Sequence, residues 1–177
     1  MIVLSGMKHC GKTTIGTLLA EKMELPFYDL DKEVEKIFSS AGDIPVREIY
    51  KKEGAAVFKE WEGKALRRLI GYGEQECVLS LGGGTIENTE AVQVLKEASG
   101  FFIFLDVEEH ILLSRILKGG IPPFLSTDDP EASFHALFKR RVPLYKAAAD
   151  CSIKLHNDNR ETTANRIMEI LRRNNGR

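Results

Sequence analysis

The chain has 177 residues and is short of several things. It has only three cysteines, Cys10, Cys77 and Cys151. An odd count at wide spacing argues against a disulfide framework and fits reduced thiols in a cytoplasm. It has no surplus of charge, because 25 basic residues face 26 acidic ones and leave a formal net charge of −1. No broad basic field therefore exists for nucleic acid or an anionic membrane, although a small local basic site can. It has no long apolar run. The most apolar stretch, Phe101-Phe-Ile-Phe-Leu105, is far short of the roughly 20 residues of a membrane helix. No leader is expected, since Met1-Ile-Val-Leu-Ser-Gly6 reads as a strand at once. Internal repeats, low-complexity tracts and linkers are missing too. What is there, 43% hydrophobic and 29% charged residues, describes an ordinary globule. A single domain over 1–177, monomeric and cytoplasmic, is expected.

Short apolar runs at 2–5, 26–29, 77–80, 101–105 and 152–155 read as strands. Between them lie helical patterns at 13–23, 32–39, 44–52, 90–97, 108–117, 132–149 and 161–173. A longer helix carries Phe58, Trp61, Ala65 and Leu69 at steps of three and four. A bend is expected at Pro143, which removes a ladder bond. Strands alternating with helices predict an α/β fold, a parallel sheet covered on both faces. The segment 118–126 holds two glycines, two prolines and no charge after Lys118, and reads as a flap.

The first strand runs into Gly6-Met-Lys-His-Cys-Gly11-Lys12-Thr13, the G-x-x-x-x-G-K-[ST] pattern. Its glycines let the backbone curl so that successive N–H groups face one anion. The helix that follows adds its positive end. Lys12 is expected on the β- and γ-phosphates and the Thr13 hydroxyl on Mg²⁺, with Lys8 and Thr14 among the nucleotide contacts. The sequence lacks an N-K-x-D tetrapeptide for guanine, so ATP is expected rather than GTP.

Asp29 and Asp31 lie two apart where a strand ends. If the chain is still extended there, both point to one side. One can hold the metal's water while the other takes a proton from an acceptor hydroxyl. Alternatively Asp31 caps the next helix, with Glu33 or Glu35 completing the turn. Asp106, which ends an apolar strand, is the rival metal carboxylate. Gly82-Gly83-Gly84 is either a flexible turn or a place of close approach; the entropic cost of three glycines favours the second. Arg141 continues a helical stripe of Phe134, Leu137, Phe138, Leu144 and Tyr145. A charge on such a stripe needs a partner, either a bound carboxylate or one from the protein.

Gly6 to Thr14, Asp29-Leu-Asp31, Gly54 to Glu62, the triple glycine, Arg115 and Arg141-Val-Pro-Leu-Tyr145 together resemble the motif series of the shikimate kinase family, in the same order. The resemblance covers nearly the whole chain. It implies a doubly wound, three-layer sheet of five parallel strands, order 2-3-1-4-5, of the nucleoside-monophosphate-kinase type. It implies transfer of the ATP γ-phosphate to the 3-hydroxyl of shikimate, giving shikimate 3-phosphate and ADP. In its terms the catalytic pair is Lys12 and Asp31, with Asp31 on the shikimate hydroxyls as proton acceptor. Asp29 holds Mg²⁺ through water, Gly82 to Gly84 approach shikimate with bare backbone, Arg141 clamps its carboxylate and Arg115 lies against adenine. The substrate region falls at about 31–62 and the lid at about 118–131.

The chain departs from that pattern twice. Where the family has Phe-Arg, a second grip on the carboxylate, this chain has Phe58-Lys59. Lysine keeps the charge and loses the bidentate fork. Lys59 and Glu62 are also three apart on one helix, the spacing of a surface ion pair. Where the family's lid reads Arg-Pro-Leu-Leu, this one reads Pro122-Pro123-Phe124-Leu125, so the lid arginine is missing, and Lys118 or Arg140 are candidates to replace it. These departures leave two alternatives: a nucleotide-binding regulator derived from such a kinase, or a kinase for another hydroxy acid such as gluconate.

Overall fold

The computed structural model describes residues 1–38, 44–73, 76–118, 120–122, 124–156 and 159–175. The expected helix end at Ser39 and the flap residues Gly119 and Pro123 lie outside the described residues, as do 40–43 of the substrate region.

Five parallel strands form one sheet: β1 (Ile2–Ser5), β2 (Phe27–Asp29), β3 (Val78–Ser80), β4 (Phe101–Val107) and β5 (Cys151–Leu155). Their order is β2-β3-β1-β4-β5, as the resemblance implies. β1 and β3 are buried at every position, which is why they read as unbroken apolar runs rather than alternating ones. In register Leu4 and Asp29 both face Ser80, and Ser5 faces Phe104, so the strands end together on one edge. In open parallel sheets ligands sit in the crevice outside that edge.

Among the described residues seven α-helices connect and cover the sheet: α1 (Lys12–Met23), α2 (Leu30–Phe38), α3 (Val46–Gly71), α4 (Thr89–Glu97), α5 (Glu109–Leu117), α6 (Pro130–Ala148) and α7 (Arg160–Asn175). α1 buries Ile15 and Leu19 and ends at Glu24 in the left-handed conformation. α3 merges the two expected helices, which meet at Gly54. There φ is 79° and ψ 172°, a conformation that only glycine adopts without strain. α6 runs through Pro143 as one helix. On it Phe134, Leu137 and Tyr145 are buried, but Leu144 is exposed and does not belong to the stripe. Tyr145 stacks on Phe104 with ring centroids 5.1 Å apart, fixing α6 against β4.

Candidate active site

The phosphate loop curls through Gly6 (φ 147°), His9 (φ 65°) and Gly11 (φ 102°) before α1 begins. Lys12 is 8% exposed, and its Nζ donates to the carbonyls of Gly6 at 2.8 Å and Met7 at 3.0 Å. Its third contact is to Cys10 Sγ at 3.8 Å, a weak acceptor that an anion in the loop can displace. Cys10 is buried and packs beside Gly6. Arg115 comes from α5 and donates from Nη1 to the His9 carbonyl at 3.2 Å, so it lies over the loop. Burial first, then the charges of Lys8, Lys12 and Arg115, hold the His9 imidazole below its ordinary range. Thr14 and Thr17 of α1 face Arg160 and Glu161 of α7 across a groove leading away from the loop.

Asp29 joins the loop to the next element. Its Oδ2 accepts from Thr13 Oγ1 at 2.9 Å and its Oδ1 from the Asp31 N–H at 3.1 Å. The two aspartates are not on a common strand, because α2 already begins at Leu30. Asp29 rather than Asp31 is therefore the residue that caps α2. Asp31, in the first helical turn, is free to face the crevice. Burial, and then the charge of Asp29, push its carboxyl up to about 6, against the opposing pull of Lys12 and Lys8. A carboxylate with that value is mostly ionised at neutral pH and basic enough to take a hydroxyl proton.

Thr13 and Asp29 present hydroxyl and carboxylate oxygens side by side, the hard donors that Mg²⁺ takes alongside nucleotide phosphates. The rival Asp106 is instead near Lys146, with Nζ 4.0 Å from Oδ2. Among the described residues no three His, Cys, Asp or Glu side chains converge as a cage for a metal.

The triple glycine is the floor of the crevice. A Cβ on Gly82 would stand 2.6 Å from Asp31 Oδ1, one on Gly83 3.2 Å from the Lys8 nitrogen, and one on Gly84 3.3 Å from Arg141 Nη2. The segment is thus in close contact with the carboxylate, the phosphate loop and the arginine at once, and is no slack turn. Tyr145 donates to the Gly83 carbonyl at 2.6 Å and fixes it from below. A 3-10 turn, Thr85–Glu87, follows directly. It is anchored by Glu62, 2% exposed, which accepts from Thr85 Oγ1 at 2.5 Å and Asn88 Nδ2 at 2.9 Å. Burial raises the Glu62 carboxyl, and these bonds draw it back. Asn88 also donates to the Lys59 carbonyl at 2.9 Å and caps α4 through the Ala91 N–H.

Lys59 makes no surface pair with Glu62, which is buried and otherwise engaged. Its Nζ donates to the Glu87 carbonyl at 2.8 Å. Arg141 meets a carboxylate from the protein: Nε and Nη2 donate to Glu87 Oε2 at 2.9 and 2.8 Å. Arg140 Nε donates to Oε1 at 2.6 Å, which removes it from the lid. The cation that meets the lid is Lys8, with Nζ 5.4 Å from the centre of the Phe124 ring. Leu125 beside it is buried, and its N–H bonds to the Pro122 carbonyl at 3.0 Å.

The sequence did not single out Glu87, offered Glu62 only as a surface partner of Lys59, and gave Tyr145 no role beyond the apolar stripe. Glu62 carried one signal, an acidic residue on the apolar spacing of Phe58, Trp61, Ala65 and Leu69.

A phosphate loop closing on a carboxylate pair, a bare-backbone floor and a cluster of cations defines a P-loop phosphotransferase for small molecules. A family model described as shikimate kinase matches residues 8–172. A shikimate kinase of Marinomonas sp. (strain MWYL1) is 34% identical over 97% of this chain and 92% of its own length. One of Ruegeria pomeroyi is also 34% identical, over 96% of this chain and 84% of that protein. The crystal structure of the Acinetobacter baumannii shikimate kinase in complex with shikimate superposes with a TM-score of 0.84 at 29% identity, covering 98% of this chain and 93% of that one. The Aquifex aeolicus enzyme gives 0.80 at 31% identity, covering 98% and 96%. The chain belongs to the shikimate kinase family and is a small-molecule kinase.

Proposed function

We propose that the chain transfers the γ-phosphate of ATP to the 3-hydroxyl of shikimate, with Asp31 as the base. The observation that carries this is the triple glycine, which leaves no room for a Cβ against Asp31, the phosphate loop and Arg141 in turn. An acceptor lying on that floor has its hydroxyls at Asp31 and its acid group at Arg141, on the side where the loop presents phosphate. The regulator and gluconate alternatives are not favoured, since the relatives matched over nearly the whole chain are shikimate kinases.

In this reading Lys12 and the loop N–H groups of Gly6 to Thr14 hold the β- and γ-phosphates, and Arg115 lies against adenine. Thr13 and Asp29 would hold Mg²⁺, which when bound neutralises charge on the transferring phosphoryl group. Asp31 accepts the proton as the hydroxyl attacks. Lys59 and Arg141 hold the acceptor's carboxylate. The segment 118–131 closes as a lid and keeps water out. Lys8 supplies from the phosphate loop a cation in place of the missing lid arginine, with Phe124 resting on it. The enzyme works as a cytoplasmic monomer of one domain.

The test is ADP release with Mg²⁺, with and without millimolar shikimate, beside quinate and gluconate. Shikimate alone is expected to stimulate strongly. Equal or greater stimulation by gluconate, or none by shikimate, overturns the proposal.

A further inference from the structure

Every cation proposed to hold the acceptor's acid group is already attached to Glu87. Arg141 binds Oε2 through two nitrogens, Arg140 binds Oε1, and Lys59 binds the backbone carbonyl. We propose that Glu87 is an internal counter-carboxylate that competes with the acceptor's carboxylate for Arg141 and so sets how tightly acidic acceptors are held. The inference rests on reading Arg141 as the acceptor's grip.

Glu87 is held at that spot by its backbone. It closes the 3-10 turn that follows the triple glycine, with its N–H bonded to the Gly84 carbonyl at 2.9 Å. Its neighbour Asn88 is tied to both Lys59 and Glu62. The side chains of Glu87 and Arg141 are 22% and 17% exposed, so the pair is partly shielded from water. Burial would raise the Glu87 carboxyl, but the bonds from Arg141 and Arg140 outweigh it and hold the group below the ordinary range, ionised at neutral pH. Arg141 Nη2, one of the nitrogens engaged by Glu87, is also the one nearest Gly84 and the floor. An acid docking there meets a guanidinium edge in use.

Displacing Glu87 does not strand it. Arg140, at 61% side-chain exposure, already holds the other oxygen and can keep the carboxylate paired while Arg141 turns to the acceptor. Glu87 and Arg140 thus form an exchange device. Removing the competitor and removing its fallback partner should have opposite effects.

The experiment measures KM for shikimate, for its uncharged methyl ester and for ATP in the full chain. Glu87→Gln should lower the shikimate KM about five- to tenfold and leave the ester and ATP within about twofold, because only a charged acceptor competes with Glu87. Arg140→Gln should raise the shikimate KM about three- to tenfold. A shikimate KM that is unchanged or raised in Glu87→Gln overturns the inference, as does an equal fall for the ester. Arg141→Gln separates the two readings. If it leaves the shikimate KM unchanged, the grip reading fails and this inference with it. If it raises that KM tenfold while Glu87→Gln lowers nothing, only the inference fails.

Discussion

The nucleotide side and the acceptor side of the crevice are built differently. On the nucleotide side a continuous stretch, Gly6 to Thr13, makes the site mainly from its own backbone, and Lys12 folds back onto carbonyls of the same loop. On the acceptor side Asp31, Lys59, Gly82, Glu87 and Arg141 come from four separate segments and meet only through side-chain contacts. The first kind of site tolerates little change, since each glycine and amide is needed where it stands. The second can be retuned one side chain at a time. Both departures from the family pattern, Lys59 and the lid without arginine, fall on the acceptor side or on the lid above it. The structure gives each a new neighbour: Lys59 donates to the Glu87 carbonyl, and Lys8 lies against Phe124.

The largest effect is expected where the two sides join. Asp31→Asn should lower kcat by about 10²–10⁴ while leaving ATP binding intact. In the unsubstituted enzyme kcat/KM should fall as pH drops through about 6, because Asp31 must be ionised to accept a proton. A flat profile from pH 5 to 8 would remove Asp31 as the base. Next comes Gly82→Ala, whose methyl would stand 2.6 Å from Asp31 Oδ1. Displacing that carboxylate by about an ångström should cost about 10² in kcat. A mild effect would mean that the floor is not a point of close approach.

Lys8→Met asks whether the nucleotide side lends its cation to the lid. Stopped-flow or steady-state turnover should show kcat lower by about tenfold or more, with folding unchanged. Restoring a lid cation by Pro122→Arg in that background should recover part of the loss. Lys59→Arg should lower the shikimate KM about threefold, since a guanidinium can bond the Glu87 carbonyl and an acceptor oxygen together.

The smallest expected effect is on stability. Asp31 has a folded value of about 6, above its ordinary 3.8. Folding therefore favours its protonated form, and that advantage, complete below 3.8, is lost as pH rises through about 6. At pH 8 the native state carries an unfavourable charge. Asp31→Asn should then gain on the order of 1 kcal/mol, or about 2–4 °C in Tm, at pH 8 and nothing at pH 3.5. Thermal melts at the two pH values measure it, and equal shifts at both would refute the electrostatic cause.

The element pattern was legible in the chain because buried parallel strands are continuous apolar runs and helices repeat every three or four residues. The strand order came only with the family resemblance. Asp29 and Asp31 were legible as a pair of carboxylates near a strand end, but not as residues of two different elements, since nothing local reveals that Asp29 caps a helix beginning at Leu30. Arg141 was legible as a charge on an apolar stripe that needs a partner. Which partner was not, because Glu87 lies 54 residues away and reaches it only through the packing of α6 on the 3-10 turn.

The sequence by itself determined the phosphate loop, whose chemistry is written in consecutive residues and executed by backbone geometry. It also determined that a carboxylate pair, a bare-backbone segment and an inward arginine exist. Only the tertiary structure decided how they are wired: Asp29 to Thr13, the triple glycine against Asp31 and Arg141, Lys8 against Phe124, and Glu87 on Arg141. The reason is range. Backbone conformation and helix periodicity act within a few residues, whereas hydrogen bonds and ion pairs between side chains depend on which distant elements the core brings into contact.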